Sequence, residues 1–402
     1  MPITTEGVSV TRLAGSSKLL RAMNESAALA HLLDPGMLTR ADLRELTALS
    51  TPTISEVLRR LTEAGLVNVV GHNSGRPGPN AEIYDANPDA AFAAAVSVRD
   101  IGPSGAPSVV AALCDLTGAV RGQIESRVDF LTTDPQTALV DAVAQLRSET
   151  GTPPERIRHV QIGVAGSYDP GTQTIRHVDV PGFGRPGLVP QIAAALGTEV
   201  GVDNDVNLAA VAERKRGVAR DAEGFALLWL GQEGLGLAID IAGTLLRGAR
   251  GGAGEIGYMP LYAPGAQHRK HDLQDLFGGA AILELGRENG VEGRTPAEVV
   301  RAATIGAPEF CTDLADRIAI GLAAVIAVLD PYLVVLAGPI AQAGGETLRS
   351  AVTAAMRRAA PLESPIAVTT IDDDAVLLGA LDAGLTAVRE ALIAAIREGY
   401  HA

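Results

Sequence analysis

The chain has 402 residues, enough for two or three domains with ample core, and its 47% hydrophobic and 20% charged content is that of a globular protein rather than a disordered or fibrous one. A formal net charge of −14 works against bulk, non-specific attraction to nucleic acid. Cys114 and Cys311 are too few for a disulfide framework or a thiolate metal site; no apolar run has membrane-spanning length and the N-terminus carries no export signal, so a cytoplasmic protein with no membrane partner is expected.

In chain order, the first informative stretch is residues 39–67. A short helix is predicted over 39–47 with Thr39 as its cap, and residues 48–50 form the tight turn of a helix-turn-helix. In the next helix Pro52 occupies the first turn, where its missing N–H costs nothing, and Ser50 or Thr51 can cap the orphan donors. Ile54, Val57, Leu58 and Leu61 fall at helical spacing on one face; Thr53, Ser55, Glu56, Arg59 and Arg60 fall on the other, and Gly65 suits the C′ position. LVNVVG and AEIYDA then read as two strands around HNSGRPGPN, which completes a winged helix of residues 1–88.

This pattern fits double-stranded DNA as a partner. Thr51, Pro52, Thr53, Ser55 and Arg59 are the candidates for the major groove, and Arg76 with Pro77, between glycines, for a narrow minor groove. A small helical cap with one amphipathic helix would share the periodicity but not the wing. Residues 1–88 hold eight Lys/Arg against nine Asp/Glu, so affinity must come from a local strip (Arg40, Arg44, Arg59, Arg60, Arg76) and from pairing two such domains.

The remainder alternates strands and helices. Strands are predicted over 90–98, 108–116, 119–127 and 159–164, with helices over 135–150 and 188–196. A hairpin at 225–230 and 235–241 opens a second lobe; helices dominate from 296, around a buried strand at 332–336, and a final helix spans 375–398. The expected architecture is α/β: an N-terminal winged helix followed by a two-lobed, actin-like sugar-kinase fold. Lobe 1 is assigned to 89–205 with 386–402 returning to it, and lobe 2, for ligand sensing and dimerisation, to 206–385. The Ala- and Leu-rich stretch 316–329 is apolar surface for a homodimer or homotetramer, or core.

Four segments of the body carry a family resemblance: GVDNDVNLAAVAE at 201–213, AGEIGY at 253–258, DPYLVVLAGPI at 330–340 and AVLLGALDAGL at 375–385. Together with the winged helix and its GRP wing they resemble the ROK family, which joins sugar kinases and sugar-responsive repressors. The resemblance implies that Asp205 stands at the family's catalytic base and that Asn204 hydrogen-bonds the sugar. From the residues alone, the 203–205 stretch can equally be a helix cap. Glu255 keeps a sugar-binding carboxylate, while Asp179, Tyr258 and Gln274 stand where the family has Asn, His and Glu; all six are candidate ligand-binding residues.

The phosphate side departs from the kinase pattern. Where the resemblance calls for D-x-G-G-T, residues 100–104 read DIGPS, and Pro103 removes a donor. Where it calls for G-T-G-x-G, residues 231–236 read GQEGLG, with Glu233 of the wrong sign for an anion. The Gly–Gly of the adenosine side is Gly338–Pro339. The family's cysteine zinc loop is missing from 264–275, leaving His268, His271 and Asp272 as weak metal candidates. The expectation is therefore a DNA-binding regulator, a repressor, whose kinase-like body senses a sugar-like effector with no ATP, no zinc and no catalytic residue. The alternative is a sugar kinase phosphorylating a hexose with ATP, with Asp205 as base.

Overall fold

A computed structural model describes residues 16–34, 36–73, 81–99, 107–178, 180–261, 271–359, 363–371 and 374–398. The N-terminal unit comprises α1 (Ser16–Leu33), β1 (Leu38–Thr39), α2 (Arg40–Thr47), α3 (Thr51–Glu63), β2 (Val67–Asn73) and β3 (Ala81–Ala86), with the sheet order β1-β3-β2. That is a winged helix. Its local signals are met in detail. Thr39 caps α2 in a capping box with Asp42, and Ser50, not Thr51, caps α3. Gly65 takes φ +70°, and Gly65 N–H and Leu66 N–H donate to the Thr62 and Leu61 carbonyls at 3.0 Å each, closing α3 in a Schellman motif. Ile54, Val57, Leu58 and Leu61 are buried. Helix α1 was not anticipated from the sequence; its Ala28, Leu29, Leu32 and Leu33 close the other side of the same core.

The first lobe contains β4 (Phe92–Arg99), β5 (Ser108–Asp115), β6 (Val120–Arg127), α4 (Pro135–Thr150), β7 (Ile157–Val164), a small hairpin of β8 (Ser167–Asp169) and β9 (Thr174–Arg176), α5 (Leu188–Leu196), β10 (Glu199–Asn204) and α6 (Asp205–Arg216). Its sheet runs β10-β7-β4-β5-β6, with an antiparallel meander β4–β5–β6 and parallel strands β7 and β10. The second lobe contains β11 (Gly224–Leu230), β12 (Leu235–Ile241), β13 (Thr244–Leu245), a pair β14 (Pro260–Leu261) and β15 (His271–Asp272), α7 (Leu273–Phe277), α8 (Gly279–Glu288), α9 (Pro296–Gly306), α10 (Pro308–Leu329), β16 (Val334–Ala337), α11 (Pro339–Ala359) and β17 (Ile366–Val368). Its sheet, β13-β12-β11-β16-β17, repeats the order third-second-first-fourth-fifth of the first sheet. The chain closes with α12 (Ala375–Glu398).

Helix α6 is apolar on both sides. Leu208 packs with the first sheet's core, while Val206 and Ala210 pack with Phe225, Leu227 and Val335 of the second. Helix α12 crosses α6 so closely that a Cβ on Gly379 would lie 1.7 Å from the Leu208 carbonyl oxygen. Along α12, Leu377, Ala380, Leu381, Leu385 and Val388 join one apolar cluster with Ala93 and Ala95 of β4, Val110 and Ala112 of β5, and the winged-helix core. Arg389 holds the helix to the sheet by donating from Nε and a terminal nitrogen to the Leu116 carbonyl at 3.1 and 2.9 Å. The helix therefore lies on the first sheet from its first turns. In α10, Leu314, Ile318, Leu322 and Ile326 are core, whereas Ile320 and Val328 remain exposed.

Candidate nucleic-acid interface and ligand cleft

Helix α3 presents its polar face to solvent because its apolar stripe is fully used against α1 and α2. Thr51, Pro52 and Arg59 are exposed, and Thr53 and Ser55 half-exposed. The hydroxyls are locally satisfied: Ser55 Oγ donates to the Thr51 carbonyl at 2.9 Å, and the Ser50 and Thr53 hydroxyls share a 2.8 Å bond. Arg59 is not free either. It pairs with Glu56 at 2.7 Å and Glu63 at 2.6 Å, and Arg60 pairs with the same Glu56 at 2.7 Å. The hydrogen bond from Arg59, and then that from Arg60, holds the Glu56 carboxyl down at about 2. Arg40 pairs with Glu82 at 2.9 Å. Of the strip expected to meet DNA, Arg44 alone among the described residues is exposed without an ion pair, and Arg76 and Pro77 lie outside the described residues. The sequence pattern finds the arginines but not their partners: Glu56 and Glu63 sit one helical turn from Arg59 and Arg60, and Glu82 reaches Arg40 from β3.

Between the two sheets lies a cleft of about 560 Å³. The C-terminal ends of β4, β7 and β10 open onto one side of it, and those of β11 and β16 onto the other, the usual place for a ligand in α/β folds. Asn204 and Asp205 stand at the turn from β10 to α6. Asn204 is the N-cap: its Oδ1 accepts from Val206 N–H at 2.9 Å and Asn207 N–H at 3.3 Å, and its Nδ2 donates to the Gly166 carbonyl at 3.3 Å. One amide hydrogen of Asn204 remains for a ligand. Asp205 opens the helix and accepts from Val206 N–H at 2.8 Å.

The other candidates come from separate elements. Glu255, before a short 3-10 turn, accepts from Ser167 Oγ of β8, so the contact spans the lobes. Tyr258 is largely exposed, with its ring 5.3 Å from that of His177 across the cleft. Gln274 lines the cleft, but its amide clamps the 231–236 loop: Oε1 accepts from Leu235 N–H at 3.1 Å and Nε2 donates to the Glu233 carbonyl. Asp179, Pro103 and the rest of 100–104, and His268 lie outside the described residues, as does the side chain of His271. Among the described residues no group of three His, Cys, Asp or Glu side chains is placed to hold a metal.

Several cleft groups were not anticipated. Arg99 at the end of β4 forms an ion pair with Asp374, which caps α12 through Leu377 N–H at 3.2 Å. Glu213 on α6 lines the cleft, accepts from Thr369 Oγ1 after β17 and from Val218 N–H at 3.0 Å, and is pushed up by burial. Beside the cleft, Asp203 of the 203–205 stretch meets a partner that was not foreseen, Arg247 of the second lobe at 2.7 Å. Only Asp203 had a local signal, its place in the VDND stretch; the others meet partners far away in the chain.

The part of the cleft where the resemblance would place a nucleotide is formed by the 231–236 loop and the start of α11. Gly231 N–H is spent on the Gly234 carbonyl at 3.0 Å, and Leu235 N–H on Gln274. Pro339 heads α11 and has no N–H to offer, although Gly338 keeps the left-handed turn at φ +88°.

Residues 104–385 match the ROK family. The bifunctional enzyme NanE/NanK of Brucella suis biovar 1 is 31% identical over 201 residues, which are 49% of this chain and only 37% of that protein. The xylose repressor of Caldicellulosiruptor bescii is 22% identical over 394 residues, 91% of this chain and 96% of its own length. Among solved structures, a ROK family transcriptional regulator described as a homolog of the E. coli MLC protein superposes with a TM-score of 0.72 at 18% identity, covering 94% of this chain and 99% of that one.

Proposed function

The chain belongs to the ROK family, and from that premise we propose that it is a DNA-binding transcription regulator, a repressor, whose kinase-like body senses a sugar or sugar-derived ligand and does not phosphorylate it. One observation carries this reading: a winged helix with a solvent-facing α3 is packed through α12 onto the lobe that forms half of the cleft. The near full-length match to a named xylose repressor supports it, since a kinase body alone would leave the N-terminal unit unaligned. Thr51, Pro52, Thr53, Ser55 and Arg59 would face the major groove of a palindromic operator, and Arg76 with Pro77 an adjacent minor groove. A symmetric operator calls for a homodimer or homotetramer. Asp179, Asn204, Asp205, Glu255 and Tyr258 would hold the effector, and Gln274 would set the loop against which it closes.

The specific observation favouring a kinase is Asp205, placed at the head of α6 as a base would be. A base acts only on a γ-phosphate held in line, and the loops that would hold it offer spent amides, a proline and Glu233. The test has two arms. Genome-wide mapping of bound DNA, with and without candidate sugars, should return discrete palindromic sites whose occupancy a sugar changes. ADP release over hexoses, pentoses and amino sugars should stay at background, and Asp205→Ala should lose the sugar response while still binding DNA. Turnover abolished by Asp205→Ala would establish the kinase instead.

A further inference from the structure

One face of the second lobe is apolar and uncovered among the described residues. From Ile318 to Leu329, α10 carries no charged side chain. Leu322, Val325 and Ile326 are buried, whereas Ile320 is 50% and Val328 82% exposed, and Ala324, four residues from each, lies half-buried between them. These three fall at i, i+4 and i+8 on a single stripe. The stripe continues sideways onto β12. Leu237 is buried with Val325, Ile239 and Leu329 pack against the same cluster, and Ile241, next on that face of the strand, is 56% exposed. Apolar side chains exposed singly need no explanation, but a helix stripe joined to a strand face marks a surface that another chain covers. The charges at the two ends of the stripe say which chain. Arg317 donates to the Leu276 carbonyl at 3.3 Å and takes part in no ion pair among the described residues. Asp330, the C-cap of α10, is also in no ion pair among them, and it stands at the negative end of the helix dipole, where a carboxylate is disfavoured.

We propose that this face pairs with a second copy of the chain, α10 against α10, antiparallel across a two-fold axis at Ala324. The arrangement is self-complementary, as a two-fold contact must be. It sets Ile320 against the partner's Val328 and Val328 against the partner's Ile320. Arg317 and Asp330 lie about 10 Å from Ala324 along the helix, on opposite sides, so each Arg317 comes beside the partner's Asp330. Ala324 itself, with the smallest side chain of the stripe, lets the two helices approach. A stable interface buries about 1,600 Å² in total, more than one helix stripe supplies, and Ile239 and Ile241 widen the contact on each side. The inference deepens the operator reading above, resting on it only for the expectation of a two-fold partner, and adds the face through which the copies meet.

Sedimentation velocity on the full chain at micromolar concentration tests this. The wild type should associate, and Ala324→Arg should halve its mass, because the two new charges meet at the axis. Val328→Glu, at a position too exposed to endanger folding, should weaken association at least about tenfold. In Ala324→Cys, mild oxidation should yield a disulfide-linked pair with no background, since Cys114 and Cys311 are buried. Arg317→Gln and Asp330→Asn should each weaken the pair, and the double variant no more than either alone; fully additive losses would overturn the antiparallel register. A monomeric wild type overturns the proposal and means that a different occupant covers the stripe. An assembly that survives both Ala324→Arg and Val328→Glu overturns it as well. Binding to a single operator half-site, measured in parallel, keeps the two readings apart. Ala324→Arg should still bind the half-site while losing its preference for the palindrome. Pairing through this face in a chain that binds no DNA upholds the proposal and removes the regulator reading alone.

Discussion

Arg247, just beyond β13, places its guanidinium 2.7 Å from the carboxylate of Asp203, the residue before the cap of α6, and so ties the second lobe to the first at the edge of the cleft. Asp203 is buried, and it also accepts from Asn204 N–H at 2.9 Å and Asn207 Nδ2 at 3.0 Å. Arg247→Ala therefore leaves a buried carboxylate still partly satisfied. Because Arg247 is half exposed, solvent screens the pair, and the loss should be about 1 kcal/mol, read as a lower urea midpoint with an unchanged slope. If the two lobes open on losing this tie, effector affinity falls by more than stability does.

The arginines of α3 are held by carboxylates of the same helix, so in the proposed interface DNA would have to take Arg59 away from Glu56 and Glu63. Glu63→Gln should tighten operator binding about threefold to tenfold and steepen its salt dependence, because one competing charge is removed. Arg59→Ala should weaken it strongly and flatten that dependence. Equal affinities for the three proteins in a gel-shift series across salt concentrations would show that α3 does not meet DNA. In the wing, Arg76→Ala should cost about 1–3 kcal/mol and relax preference at an A/T-rich flank.

Gly379 lets α12 lie against α6. A methyl at that position would meet the Leu208 carbonyl at 1.7 Å, so Gly379→Ala must separate the helices. Overpacking of this kind costs about 1–3 kcal/mol or more. The N-terminus of α12 lines the cleft, and Leu385 and Val388 further along it share a core with the winged helix. The variant should accordingly bind operator in a way that no longer responds to effector. A variant with wild-type midpoint and wild-type induction would remove α12 as the connection.

Glu213 gives a pH dependence whose sign follows from its burial. Its carboxyl is raised above the ordinary 4.5, chiefly by desolvation, while the Thr369 hydroxyl and Val218 N–H pull the other way. The folded state thus holds this proton more tightly than the unfolded chain does. Its contribution is full below the ordinary carboxylate range and is lost as pH rises through the folded value. Glu213→Gln should show no gain at acid pH and a higher urea midpoint than the wild type towards neutrality. A midpoint difference that does not change with pH would contradict this.

What could be read from the sequence is what neighbouring residues decide. The stripe at 54, 57, 58 and 61, the cap Thr39, Gly65 after α3, and the helices at 135–150, 188–196 and 375–398 depend on periodicity and on end chemistry within a few residues, and each lies where the pattern placed it. The VDND stretch likewise marks a strand end that heads a helix, because Asn204 caps a helix that begins one residue later. Helix α1 escaped because its buried face is defined by α3 and α12, the latter from the far end of the chain. The cleft was legible only as a collection of polar residues. That Gln274 spends its amide on the 231–236 loop, that Arg99 meets Asp374 and that Ser167 meets Glu255 follow from how two similarly ordered sheets close around α6 and α12. A hydrogen bond or ion pair forms only at contact distance, and contact between residues 88 or 275 positions apart is set by topology, which no local pattern encodes.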